Sequence, residues 1–266
     1  MTEGSATGAV VAAASVRHVI FALGEFDSED DGPLRPMPLD VDGVFPAAAV
    51  LCFFPEAIDD LHRDGTLSRV GQFSAQLGGA GIYATEDRRV VVFHPGVGGP
   101  LSAHNFERAI ASGVTRAVAV GGAGAIDAAF GKDDVLVVAS AVRDEGTSFH
   151  YLPANRTVEL DDEEARRIVR GFTVLGIPAR LGRTWTTDAD FRETRARVER
   201  RKAEGCIAVE MEAASLAAVA LFRNIRYAHV LYSGDELHGP TWAERSWTTS
   251  SRRPQLLRAA IALAAH

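Results

Sequence analysis

The sequence predicts an α/β layered domain around a mostly parallel or mixed sheet. Short β-branched or aliphatic runs read as buried strands, and stretches with helical spacing lie between them. That alternation is the pattern of a sheet covered by helices. With 266 residues, 47% hydrophobic and 24% charged, the chain is long enough for one sizeable core, and its balance is that of a globular protein.

In order, Val16 to Ala22 reads as a first strand, behind a frayed segment 1–15. Segment 24–46, GEFDSEDDGPLRPMPLDVDGVFP, is acidic and proline-rich, and is expected as an excursion outside the core. Strands follow at Ala49 to Phe54 and Arg89 to His94, then a helix over Leu101 to Ser112. Arg116 to Gly121 and Asp134 to Ser140 read as strands, Glu163 to Phe172 and Arg192 to Glu204 as helices. An apolar strand runs into Glu210, followed by a helix over Met211 to Phe222, a strand over Tyr227 to Ser233 and a helix over Pro254 to Ala265. No repeat or interdomain linker is visible, so residues 16–266 are expected to form one domain.

Charge and cysteine usage narrow the function. The 35 acidic and 28 basic residues give a net charge of −7, which repels a nucleic-acid backbone. Only Cys52 and Cys206 are cysteines, so neither a disulfide framework nor a thiolate zinc site is available. No basic signal segment and no run of roughly 20 apolar residues is present. A cytoplasmic protein without membrane contact is expected.

Five stretches carry chemistry. In HPGVGGPLSAHNFERAIASGV, a strand ends, Gly96, Gly98 and Gly99 turn the chain, and a helix begins. Backbone N–H groups there suit an anion or a polar substrate group. AVAVGGAGAID reads as a second strand ending in glycines, Gly121, Gly122 and Gly124; two such ends in one α/β domain point to a shared crevice at the carboxyl edge of the sheet. AVRDEGTSFHYLP, containing Arg143, reads as a functional loop. CIAVEMEAASLAAVA places Glu210, Met211 and Glu212 at a helix start, where a carboxylate either serves the crevice or favours the helix dipole. HVLYSGDELHG puts Asp235 at a strand mouth.

Together these stretches resemble the nucleoside phosphorylase family that includes uridine phosphorylase, hexameric purine nucleoside phosphorylase and the methylthioadenosine nucleosidases. The paired glycine segments, AVRDEGTSFHYLP (most like uridine phosphorylases), VEMEAASL and SGDEL match in order over roughly residues 45–235. The resemblance implies a single domain with a central twisted mixed β-sheet flanked by helices, and a homo-oligomer of dimers forming trimers or hexamers. It implies cleavage of a nucleoside N-glycosidic bond with no metal or organic cofactor, phosphate being a co-substrate.

It also assigns roles. Glu212 holds the 2′- and 3′-hydroxyls, with Met211 against the sugar and Glu210 beside it. Asp235 protonates the leaving base in the purine branch, and Phe191, next to Arg192, stacks on the base. Gly121 and Gly122 contact substrate, while Gly96, Gly98, Gly99 and Arg143 face the anion. The departures are specific. Phe53, Phe54 and Ala57 replace the glycine, aspartate and arginine of the family's first phosphate loop. Ala119 replaces a second arginine, and Gly122 a hydroxyl residue. Arg69, Arg143 and Arg192 are the replacement cations open to phosphorolysis. The alternatives are hydrolysis, with Glu210 or Glu56 activating water, and a nucleoside-binding protein without turnover.

Overall fold

The computed structural model describes residues 22–29, 32–74, 78–132, 134–239, 242–244 and 252–266. Segment 1–15 and the strand expected from Val16 lie outside these residues, except Ala22, which opens a 3-10 turn.

Among the described residues, eleven strands form one mixed sheet: β1 (Ala48–Cys52), β2 (Leu67–Gln72), β3 (Gly81–Thr85), β4 (Val90–Phe93), β5 (Arg116–Ala125), β6 (Val135–Asp144), β7 (Thr157–Glu159), β8 (Ala179–Thr187), β9 (Cys206–Glu210), β10 (Arg226–Glu236) and β11 (Ala243–Glu244). The helices are α1 (Pro55–Arg63), α2 (Gly99–Ala111), α3 (Asp162–Val174), α4 (Arg195–Ala203), α5 (Ala213–Phe222) and α6 (Arg252–Ala264). Strand β10 is parallel to β5 and antiparallel to β6. Because β6, β8, β9 and β5 also pair in succession, these strands and β10 close on themselves, while β1, β4, β3 and β2 extend outward from β5.

The pleat explains the layers. Ala49 and Leu51 of β1, with Ala117 and Ala119 of β5, join a core shared with α2 and α5. Their alternates Ala48, Val50, Val118 and Val120 join a second core with α1, α3 and α6, as a period of two requires. Helix α5 buries every residue from Ala213 to Ala220, so its small apolar side chains meet core all round.

One sequence expectation changes here. Strand β5 does not stop at Gly121 but runs through to Ala125. These glycines clear space: a methyl at Gly124 would lie 3.0 Å from Asp235 Oδ1 and 3.1 Å from Val209 Cγ1. The excursion lies over the surface of α2, where Leu39 N donates to Ser112 Oγ at 2.8 Å and Arg108 Nε donates to Met37 O at 3.1 Å. It walls a cavity of about 900 Å³ with α2 and the 3-10 turn Thr147–His150. Among the described residues, no helix is long and apolar enough to cross a membrane.

Candidate active site

A second cavity, of about 280 Å³, opens at the carboxyl edge of β1, β5, β9 and β10. Phe53, Gly121, Gly122 and Gly124 line one side, and Glu210, Met211, Glu212 and Asp235 enter from the strand ends. None of the described excursion residues lines it.

Glu210 and Glu212 are both buried but differ in what they hold. Glu210 Oε2 accepts from Glu212 N at 2.7 Å and Ala213 N at 2.6 Å. Its Oε1 accepts from Thr186 Oγ1 at 2.6 Å and Thr184 Oγ1 at 3.3 Å. Glu210 therefore ties the start of α5 to β8, satisfying N–H groups that a helix leaves open. Glu212 holds backbone only: its Oε1 accepts from Gly98 N at 2.6 Å, and the Met211 N–H also supports the carboxylate. Gly98 presents that N–H from a φ of +87°, a conformation glycine adopts without steric cost. Burial, followed by the Glu210 charge, pushes the Glu212 carboxyl up to about 8.

Opposite lies an acidic group that the motifs do not announce. Asp190 and Glu193, after β8, line the cavity together with Asp235. Burial and then the charges of Asp235, Asp190 and Glu210 raise Glu193 to about 8, so this group carries a proton at neutral pH. Asp235 Oδ2 accepts from Trp242 Nε1 at 2.7 Å. His229, buried beneath, meets the Tyr227 hydroxyl at 2.9 Å through Nδ1. Burial drives its pKa down to about 3, keeping the imidazole neutral.

The remaining expected residues lie elsewhere. Phe191 is 94% exposed on the 3-10 turn Asp190–Arg192 and does not line the cavity, nor does Arg192. Arg143 is buried away from it: Nε donates to Ser148 Oγ at 2.8 Å, and Nη1 and Nη2 to Pro153 O and Leu152 O at 2.8 and 3.1 Å. Arg69 on β2 binds Gln72 Oε1 at 2.7 Å. Of the first glycine loop, Val97 alone lines the cavity, with Gly98 reaching it through Glu212. Gly96 instead donates its N–H to His94 Nδ1 at 3.0 Å, and Gly99 begins α2. Both cysteines are buried, which pushes their thiols up to about 12.

The sequence reading missed Asp190, Glu193, His229 and Arg253 as lining residues. A histidine inside the β10 apolar run was the visible signal for His229. Arg253 lies beyond all five motifs and carried no signal.

The uridine phosphorylase of Escherichia coli is 25% identical over 155 residues, 53% of this chain and 61% of that protein. The uridine phosphorylase of Thermococcus kodakarensis is 30% identical over 102 residues, 38% of this chain and 37% of that protein. The matches thus span about three-fifths or less of these relatives' length. The fold is that of AMP nucleosidase from Bacteroides thetaiotaomicron, with TM-score 0.68 and 19% identity over 82% of this chain and 87% of that one. It is also that of the Toxoplasma gondii purine nucleoside phosphorylase in complex with immucillin-H, with TM-score 0.68 and 15% identity over 83% and 90%. A family profile described as phosphorylase superfamily matches residues 47–265, and the chain belongs to that superfamily.

Proposed function

We propose that this chain is a cytoplasmic, homo-oligomeric pentosyltransferase that cleaves the N-glycosidic bond of a nucleoside by phosphorolysis. The observation that carries the reading is the buried Glu212 carboxylate, fixed by the Gly98 N–H beside Met211 in the strand-end cavity.

As the C1′–N bond lengthens, the ribose gains positive charge. A carboxylate on the 2′- and 3′-hydroxyls fixes the ring and stabilises that charge where little water competes. Glu212 fills this role once ionised, a state that the growing positive charge on the ribose favours although burial holds the free carboxyl up to about 8; Glu210 holds the backbone on which Glu212 sits. A phosphate oxygen attacks C1′, and the bonding pair leaves with the base nitrogen. That nitrogen takes a proton from Asp235, beside which Glu193 carries one at neutral pH. The products are free base and ribose 1-phosphate.

Hydrolysis is the second reading. It is favoured by Ala119, Gly122 and Phe53, which leave the strand ends without the cations of the family's phosphate loops. A panel of uridine, inosine, adenosine and methylthioadenosine, with and without phosphate, tests both. Base release that needs phosphate supports phosphorolysis, and release indifferent to phosphate supports hydrolysis. Calorimetric binding of a nucleoside with no base release contradicts an enzyme of either kind.

A further inference from the structure

Acidic side chains crowd the strand-end cavity. Asp190, Glu193, Glu210, Glu212 and Asp235 stand at the ends of β8, β9 and β10. Among the described lining residues Arg253 is the one Lys or Arg, and the only other basic side chain, His229, is held neutral by burial. Arg253 belongs to the first turn of α6 and is 8% exposed. Its Nη1 lies 2.8 Å from Glu56 Oε1, its Nη2 donates to Phe53 O at 3.5 Å, and its guanidinium covers the Phe54 ring at 4.6 Å. These contacts hold the head group at the end of β1. The Nε–H is buried and has no hydrogen-bond partner among the described residues. A buried donor on a charged group left unpaired is costly, and an anionic oxygen relieves it with a charge-assisted bond.

We propose that Arg253 is the anion-holding residue of this cavity and that its ligand is a phosphate group. On the phosphorolytic reading, on which this identity rests, the group is inorganic phosphate. The other source of the same chemistry is the 5′-phosphate of a nucleoside monophosphate. Arg253 thereby restores, from the C-terminal helix, a charge that Phe53, Phe54, Ala57 and Ala119 do not supply from the strand ends. Glu56 positions the guanidinium and, outside the lining, is not the base that activates water.

Calorimetric titration of the full chain with inorganic phosphate, and separately with uridine and adenosine 5′-monophosphates, tests the proposal in wild type and Arg253→Gln. We expect at least about a tenfold weaker affinity in the variant, as loss of a charge-assisted contact gives. Loss with inorganic phosphate identifies the free ion, and loss confined to the monophosphates identifies the nucleotide. Equal affinities in the two proteins, or no binding of either ligand to wild type, overturn the proposal. If Arg253→Gln does not fold, the Arg253 Nε–H resonance in 15N-labelled wild type decides. Assigned by its disappearance in Arg253→Lys, it shifts on adding the anion if the proposal holds, and an unmoved resonance overturns it. Base release is scored separately. Turnover with unchanged phosphate affinity in the variant removes Arg253 and keeps the cleavage reading, whereas phosphate binding lost in the variant without turnover in wild type does the reverse.

Discussion

Glu210 and Glu212 stand two positions apart and do different work, a division the sequence motif alone does not reveal. Glu210 spends both oxygens on Thr184, Thr186 and the first N–H groups around α5. Glu210→Ala is therefore expected to destabilise the protein by about 2–4 kcal/mol, because buried donors lose a charged acceptor; denaturant unfolding measures this. Glu212→Gln keeps the shape and leaves melting close to wild type near neutral pH, while turnover drops at least about a hundredfold. Wild-type kcat in that variant removes Glu212 from the chemistry. Its buried carboxyl also couples stability to pH. An unfolded glutamate releases its proton near 4.5, whereas native Glu212 keeps it to about 8. The native state thus binds more protons between these values, and the fold weakens as pH rises through them. Glu212→Gln does not ionise, so its melting temperature relative to wild type is expected to climb from about pH 5 to about pH 8. A difference independent of pH contradicts the burial of this group.

At the level of elements, the strands with aliphatic runs and the helices α2, α3 and α6 are legible from their apolar pattern, and α5 from its unbroken run of small apolar residues. Strand β8 is not. Its buried Thr184 and Thr186 face Glu210, so the polar character that hides the strand is what anchors the carboxylate. Helix α1 is hidden too, with only Ala57, Ile58 and Leu61 buried in a charged nine-residue span. The glycines of β5 read as a turn, yet they keep the strand thin where β9 and β10 converge. Gly124→Ala drives a methyl into Leu237 Cδ1, the tighter contact, and to 3.0 Å from Asp235 Oδ1, so that both side chains must give way. Displacing that carboxyl is expected to lower kcat at least about tenfold, since small misplacements of reacting groups are expensive. Steady-state kinetics on the preferred substrate reads this directly, and an unaffected kcat contradicts the placement of Asp235.

For the whole molecule, the alternation of strand-like and helical runs predicts the α/β architecture, and the motifs ending in Glu212 and Asp235 predict a shared cavity, which Glu212, Met211 and Asp235 line. The closing of β10 onto both β5 and β6 was not, because long-range pairing leaves no local mark in a sequence. The same holds for Arg253, brought from α6 to the end of β1 by tertiary packing. Phe191 remains 94% exposed in the single chain, and Val97, at the cavity, 63%. Such aromatic and aliphatic surface beside a site is expected to be covered by a second copy, and light scattering at micromolar concentration should find an oligomer. Cleavage of a nucleoside at this cavity with phosphate as the nucleophile is tested most directly by identifying the sugar released from the nucleoside panel in the presence of phosphate. Free base and ribose 1-phosphate are expected; free ribose, or no released base at all, would contradict phosphorolysis here.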